Sequence, residues 1–272
     1  MQHSPKRAWY RTKGAVGAIV AAAVIVVGAG AFRYFQIREI DAEFLITTPD
    51  TVTSKPELVS YALPRGKSGY EKNCVSCHGP HLKGDPLKGI PDLTDNDFLY
   101  GSGRVSQIER IIMYGIRSGN SKGWDLASMP AFGTAKPYPR YKVESLSPEE
   151  LNDITSYIYS FQHPPQTVDE KLSAVRGEAI YRNYLKGVCW DCHANDAKGD
   201  TAIGAPDLAD KIWLYGDGSR AWIHHTITFG LEGYCPAFAG RLSPVTIRAI
   251  AVYVHSMESP AATKTANAEK IP

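Results

Sequence analysis

The pentapeptide Cys74-Val-Ser-Cys-His78 recurs later in the chain as Cys189-Trp-Asp-Cys-His193, so the sequence contains two CxxCH motifs. Further matching segments follow at the same offset of 115 residues: Pro91-Asp-Leu-Thr-Asp95 with Pro206-Asp-Leu-Ala-Asp210, and Leu99-Tyr-Gly101 with Leu214-Tyr-Gly216. A fixed offset over several motifs indicates an internal duplication. The sequence therefore predicts two copies of one small domain, each of about 100 residues.

Helix signals fall at matching places in the two copies. Ser147 and Glu150 have the spacing of a capping box before an apolar stripe, and Ser243-Pro244 precedes a similar stripe. Shorter middle helices are predicted around Ile108 in copy one and Ile223 in copy two. Few segments alternate as strands do, so the sequence predicts an all-α fold.

Each CxxCH motif predicts the covalent attachment of one haem c. Two thiols at this spacing can add to the two vinyl groups of a porphyrin, and the histidine that follows becomes the proximal iron ligand. A zinc site made from two CxxC pairs is the alternative, but such pairs normally lie about 15–20 residues apart. The sequence thus predicts two haem c groups, attached through Cys74, Cys77, Cys189 and Cys192 and ligated by His78 and His193.

A proline stands thirteen residues after each of these histidines, at Pro91 and Pro206. A ligating histidine needs an acceptor for its other ring N–H, which fixes the tautomer. A proline carbonyl at this place resembles the acceptor of class I cytochromes c. The alternative is that both are ordinary turn prolines.

The sixth iron ligands are expected on the loops between the middle and last helices. Copy one carries Met129 in Ser128-Met-Pro-Ala-Phe132, and Met129 is the expected distal ligand of the first iron, whereas Met113 fits a packing role. Copy two has Cys235 at the corresponding place, so a thiolate is expected on the second iron, where it would lower the reduction potential. The alternatives are an open position or ligation by His224, His225 or Met257.

An uncharged stretch of nineteen residues, Gly14–Phe32, precedes both copies. A helix of that length spans about 28 Å, close to the hydrocarbon thickness of a bilayer. Four basic residues and no acidic one stand just before it, whereas charges of both signs follow it. This asymmetry predicts a single-pass inner-membrane anchor with a cytoplasmic N-terminus and a periplasmic remainder. A signal peptide cleaved near Ala29-Gly-Ala31 is the alternative.

Several segments carry a resemblance to a known family: Pro91–Gly101 and Met129-Pro-Ala-Phe132 in copy one, and Asp210–Gly216, Pro236-Ala-Phe238, Arg241-Leu-Ser243 and Ala251–Ser256 in copy two. Through these segments the two copies resemble the haem domains of the dihaem subunit, subunit III or the P subunit, of cbb-type (C-family) haem–copper cytochrome c oxidases. The resemblance covers about residues 60–258, and Cys235 departs from it because the family has methionine there. The alanine-rich anchor also lacks the expected Trp- and Pro-rich lead-in, so a close paralogue is the alternative.

The resemblance implies one N-terminal transmembrane helix followed by two tandem class I cytochrome c domains. Paired prolines in His163-Pro-Pro-Gln166 mark the boundary between the domains. The expected segments are a cytoplasmic N-terminus at 1–13, the anchor at 14–35, a linker at 36–60, the first domain at 61–163, the second at 164–259 and a disordered tail at 260–272.

The resemblance also implies a role in electron transfer. The chain would accept electrons from a periplasmic cytochrome or the quinol branch and pass them to the catalytic subunit of a terminal oxidase, with no catalytic site of its own expected. Thirty basic residues against twenty-eight acidic ones give no sign of nucleic-acid binding. The alternatives are a subunit of another membrane complex, a haem-based sensor, or a thiosulfate-type dihaem oxidoreductase with Arg220 and Arg241 as candidate substrate-binding residues.

Overall fold

The computed structural model describes residues 6–95, 97–135, 137 and 143–257, with the backbone alone at 6–15 and 17. The disordered tail predicted at 260–272 lies outside these residues. The described chain forms short 3₁₀ helices at Pro49–Ser54 and Pro86–Lys88. Its α-helices are α1 Lys6–Ile46, α2 Pro56–Asn73, α3 Val75–His78, α4 Val105–Tyr114, α5 Pro148–Ser160, α6 Val168–Tyr181, α7 Cys189–His193, α8 Arg220–Phe229 and α9 Pro244–Ser256.

The described residues from 6 to 48 form one compact unit, which contains α1. Within the described residues, the part of α1 from Ala18 to Ile46 is long and apolar enough to cross a membrane. The first part of the linker predicted at 36–60 is helical in the structure, because α1 continues to Ile46. Residues 36–46 contain no glycine or proline, and most of them are good helix formers, so nothing in the sequence stops the helix before Thr47.

The described residues from 49 to 257 form the second compact unit, and the 3₁₀ helix Pro49–Ser54 packs within it. The Asp50 carboxylate accepts hydrogen bonds from the backbone N–H and the hydroxyl of Ser106, each 2.8 Å long. Ser106 lies in the first turn of α4, where the unpaired N–H groups and the helix dipole favour a negative charge. The 3₁₀ helix Pro49–Ser54, which falls within the predicted linker, is therefore part of the folded unit.

The first CxxCH motif is enclosed by helices from both sequence copies. Helices α2 and α4 of copy one pack against α9, the last helix of copy two. Gly66 permits the close crossing of α2 and α9, because a Cβ there would lie 2.1 Å from the carbonyl oxygen of Ala249. The rings of Tyr70 and Tyr253 meet at the same crossing with centroids 5.7 Å apart.

The second CxxCH motif has the reciprocal arrangement. Helices α6 and α8 of copy two pack against α5, the last helix of copy one. A Cβ on Gly177 would lie 2.1 Å from the carbonyl oxygen of Asp153, and the rings of Tyr157 and Tyr181 have centroids 5.4 Å apart. The two copies have thus exchanged their C-terminal helices while keeping the same glycine and tyrosine contacts.

The connection between α5 and α6 explains the exchange. It consists of residues 161–167 alone, and consecutive elements joined by a short connection usually pack side by side. The paired prolines at 164–165 therefore mark a turn between two packed helices. The all-α fold, the capping box of Ser147 with Glu150 and the N-cap Ser243 are confirmed. The structure differs from the expectation in one respect. The two copies follow one another in the sequence, but the last helix of each copy packs against the other copy.

Candidate haem-binding sites

Each CxxCH motif forms a short helix whose histidine faces a proline carbonyl. His78 ends α3 and its Nδ1 lies 3.4 Å from the Pro91 oxygen, while His193 ends α7 and its Nδ1 lies 3.0 Å from the Pro206 oxygen. The Nδ1–H of each ring can therefore donate a hydrogen bond to the proline carbonyl, which leaves Nε2 available as a metal ligand.

Burial keeps both histidines in the form that binds a metal. It lowers the pKa of His78 and of His193, although the contact with the proline carbonyl opposes this shift in each case. A lowered pKa means that the imidazole is neutral at physiological pH, and a neutral imidazole is the ligating form. Burial also raises the thiol pKa of Cys74 to about 11 and of Cys189 to about 12, so both attachment cysteines lie in apolar surroundings.

A buried tyrosine supports each motif, and neither tyrosine belongs to a motif that could be recognised from the sequence. The Tyr70 hydroxyl donates to the carbonyl oxygen of Gly79, and the Tyr181 hydroxyl donates to that of Ala194, at 2.6 Å in both cases. Gly79 and Ala194 directly follow the two histidines. The fixed offset of 115 hides this pair, because copy two has four more residues than copy one between the tyrosine and its CxxCH motif.

A deep cavity opens beside the second motif, and Met129 of copy one lines it together with Cys189, Cys192 and His193. The segment of Met129 is fixed there by backbone hydrogen bonds to copy two: Met129 and Leu231 exchange N–H···O bonds of 3.1 and 3.2 Å. Most of the remaining wall is apolar and includes Phe132, Ile154, Ile158, Leu208, Ile223 and Ile227.

The polar groups of this cavity fit a haem. The indole Nε1 of Trp222 is buried in the cavity wall, and it has no hydrogen-bond partner within the described part of the chain. Such an orphaned donor needs an acceptor, which a haem carboxylate provides. The two thiols and the imidazole of the motif, with the thioether of Met129 and the unpaired indole N–H of Trp222, form a lining that fits a covalently bound haem.

Cys235 lies beside the first motif. Burial, followed by the charges of Cys74 and Cys77, raises the pKa of its thiol to about 11. Backbone bonds of 2.9 and 3.0 Å between Cys235 and Ile116 fix it against copy one, and Phe238 donates to the carbonyl of Ile112 in α4 at 3.0 Å.

These positions correct the predicted pairing of distal residues. Chain order paired Met129 with His78 and Cys235 with His193, but Met129 lies in the cavity of His193 and Cys235 lies near the cysteines preceding His78. The physical reason is the exchange of C-terminal helices, since each distal loop leads into the helix that packs on the other copy. The structure therefore places Met129 and Cys235 each beside the CxxCH motif of the other copy.

The other candidates for the distal position lie elsewhere. His224 is bonded within α8 to Thr228, while the exposed ring of His225 stacks on Trp222 at 5.5 Å. Met257 follows the end of α9 and is 41% exposed. None of them is among the residues that line the cavity of His193.

The two arginines considered for substrate binding are engaged in packing contacts. Arg220 donates to the Ser156 hydroxyl at 2.6 Å, which joins α8 to α5. The guanidinium of Arg241 stacks over the Phe238 ring at 4.8 Å.

Comparison with known families agrees with the duplication. Residues 63–162 match the family model described as Cytochrome c, which implies haem c, and residues 173–254 match Cytochrome C oxidase, cbb3-type, subunit III. Similar proteins are cbb3-type cytochrome c oxidase subunits: FixP of Bradyrhizobium sp. (strain ORS 278), 38% identical, and FixP of Azorhizobium caulinodans, 35% identical. CcoP of Cereibacter sphaeroides is 33% identical.

The alignments with these three relatives span 76%, 82% and 80% of this chain, and 64%, 69% and 69% of the relatives' own lengths. The chain therefore matches about two thirds of each relative. Identity of this level over most of the chain, together with the two family matches, shows that the chain belongs to the FixP/CcoP family of cbb3-type cytochrome c oxidase subunits.

Proposed function

We propose that this chain is the dihaem electron-transfer subunit of a cbb3-type cytochrome c oxidase, with one haem c at each CxxCH motif. The observation that carries the proposal is the repetition, at both motifs, of the same histidine-to-proline contact and the same tyrosine hydrogen bond. A protein that bound one haem would have no reason to build this support twice. When bound, the haem supplies an iron that changes between its ferrous and ferric states.

The side chains assign different properties to the two sites. At the first site we infer that His78 and Cys235 are the iron ligands, and at the second site His193 and Met129. A thiolate favours the ferric state and lowers the reduction potential, whereas a thioether favours the ferrous state and raises it. The two sites would thus differ strongly in potential, although their proximal sides are alike.

The remaining residues orient and enclose the reacting groups. The carbonyls of Pro91 and Pro206 fix the histidine tautomer, and the apolar wall of the cavity beside His193 excludes water. Low polarity around an iron site is one of the levers by which a protein sets its potential.

The membrane anchor and the partners follow from the same family membership. We infer that α1 holds the chain in the inner membrane with its N-terminus in the cytoplasm, so that residues 49–257 lie in the periplasm. A periplasmic cytochrome would then donate electrons, and the catalytic subunit of the oxidase would receive them. The basic flank before the apolar stretch supports this orientation.

Affinity purification of the tagged full chain from its native membranes tests this function. We expect two covalent haems per chain by the alkaline pyridine assay, and a co-purifying haem–copper catalytic subunit with oxidase activity. Two haems without that partner would assign the chain to another membrane complex. A chain without covalent haem would exclude electron transfer altogether.

A further inference from the structure

The guanidinium of Arg117 contacts both loops that carry the candidate distal ligands. Its Nη1 donates to the carbonyl oxygen of Ala127 at 2.8 Å, and its Nε donates to the carbonyl oxygen of Gly233. Ala127 stands two residues before Met129, and Gly233 stands two residues before Cys235. One side chain therefore binds the equivalent carbonyl in each of the two loops.

The third contact of Arg117 fixes the guanidinium itself. Its Nη2 donates to the hydroxyl of Tyr100 at 3.1 Å. Tyr100 belongs to copy one but packs against copy two, because a Cβ on Gly204 would lie 2.3 Å from its ring. Arg117 and Tyr100 both line the cavity of His193. The guanidinium is thus held between the two halves of the folded unit.

The backbone of Arg117 indicates that this position is under constraint. Its φ of +49° lies in the left-handed region, which non-glycine residues rarely adopt. Backbone bonds on both sides keep it there: Arg117 N donates to the Trp124 carbonyl at 2.8 Å, and the preceding Ile116 pairs with Cys235. A strained residue persists where the surrounding contacts over-determine it.

The segment that carries Arg117 is special to copy one. Met129 stands fourteen positions after Gly115, whereas Cys235 stands five positions after Gly230. The residue at the offset of 115 from Arg117 is Glu232, which cannot donate to a carbonyl when ionised. The contact is therefore a single shared one and does not occur twice by symmetry.

We propose that Arg117 is a positioning residue that couples the distal sides of the two haem sites. Its planar guanidinium donates to a backbone carbonyl in each loop and thereby fixes the positions of Met129 and Cys235 relative to their iron sites. Arginine suits this role because its five N–H donors have fixed directions, whereas a lysine ammonium is a compact point charge that cannot span the two loops and the Tyr100 hydroxyl. The proposal rests on the ligand assignment made under the proposed function.

The test compares the full-length Arg117→Lys variant with the unaltered protein by near-infrared magnetic circular dichroism and electron paramagnetic resonance. The unaltered protein tests the ligand assignment itself, through one methionine-to-iron band and one low-spin thiolate signal. If either is missing there, the assignment fails independently of Arg117. In Arg117→Lys we expect a weaker methionine band and a shifted thiolate signal, with two haems per chain and unchanged helix content.

The matched control is Arg110→Lys, which makes the same exchange on α4 at an arginine whose contacts are the Trp124 ring and the Lys122 carbonyl. It should leave both signals unchanged. The proposal is overturned if Arg117→Lys changes one signal alone, or neither. Should Arg117→Lys fail to mature, Tyr100→Phe removes one support of the guanidinium, and a smaller change in both signals is then required. Unchanged signals in Tyr100→Phe would also overturn the proposal.

Discussion

Glu109 of α4 and Arg248 of α9 form an ion pair of 3.1 Å, although they belong to different sequence copies. Their side chains are 10% and 11% exposed, so the pair is almost fully buried. The residues at the corresponding places of the other copy are His224 and Asn152, which cannot form this pair. The ion pair therefore favours the packing of α4 against α9, the last helix of copy two, over its packing against α5, the last helix of copy one.

Removing one partner of this pair should destabilise the protein strongly. We expect Arg248→Asn to lower the free energy of unfolding by about 3–5 kcal/mol, because it leaves the Glu109 charge buried and uncompensated. Denaturant unfolding followed by circular dichroism measures the loss. As a control, Lys67→Gln removes an exposed pair with Glu71, and its cost should stay below about 1 kcal/mol. Equal costs for the two variants would show that the Glu109–Arg248 pair does not hold α9 in place.

The two close helix crossings predict matched effects of a single methyl group. Gly66→Ala and Gly177→Ala each place a Cβ 2.1 Å from a backbone carbonyl oxygen of the crossing helix. The helices must move apart, and we expect a loss of about 1–3 kcal/mol in each variant. Gly30→Ala in α1 is the control, since its Cβ would meet nothing within 4 Å. Thermal unfolding compares the three variants, and a neutral Gly66→Ala would contradict the crossing of α2 with α9.

These crossings also explain what the sequence could and could not predict. Helix starts were predictable, because capping at Ser147 and Ser243 depends on residues within one turn. The choice of packing partner was not, because Gly66 with Tyr70 and Gly177 with Tyr181 present the same surface to either last helix. The short turn between α5 and α6 and the buried ion pair of Glu109 with Arg248 decide the choice, and neither feature is repeated in the two copies.

The residues of the candidate haem sites could also be predicted in part. The attachment cysteines, the proximal histidines and the residue types of the distal positions follow from motifs, which need no tertiary information. The pairing of Met129 and Cys235 with a particular histidine depends on the exchange of helices, and the structure places each of them beside the CxxCH motif of the other copy. Arg117 carries no motif at all, since its role arises from two carbonyls brought together by the fold.

Asp97 should make stability depend on pH. Burial, and then the charges of Asp210, Asp95 and Asp207, raise the pKa of its carboxyl to about 7, well above the unfolded value of about 4. The folded state therefore binds this proton more tightly, and its stability falls as the pH rises from about 4 to about 7. We expect Asp97→Asn to raise the melting temperature at about pH 8 and to change it little at about pH 4.

Asp92 provides a control of opposite sign. Although partial burial opposes the shift, hydrogen bonds from Thr94 and Lys83 hold the pKa of Asp92 below its usual value. The stability that this carboxylate contributes is present above its unfolded pKa and is lost as the pH falls through the folded value. Asp92→Asn should therefore lower the melting temperature at about pH 8, with a smaller effect in acid. If Asp97→Asn instead lowered the melting temperature at about pH 8, the raised pKa of Asp97 beside Asp95, Asp207 and Asp210 would be contradicted.

The most direct test of the exchanged ligands is the spectrum of a protein that keeps the first haem alone. Replacing Cys189 and Cys192 by serine prevents attachment at the second motif, and a haem assay should then find one covalent haem per chain. The electron paramagnetic resonance spectrum of the oxidised variant should show a low-spin thiolate signal, which Cys235→Ala abolishes. A methionine-ligated iron at His78, with no thiolate signal, would contradict the exchange and restore the pairing within each copy.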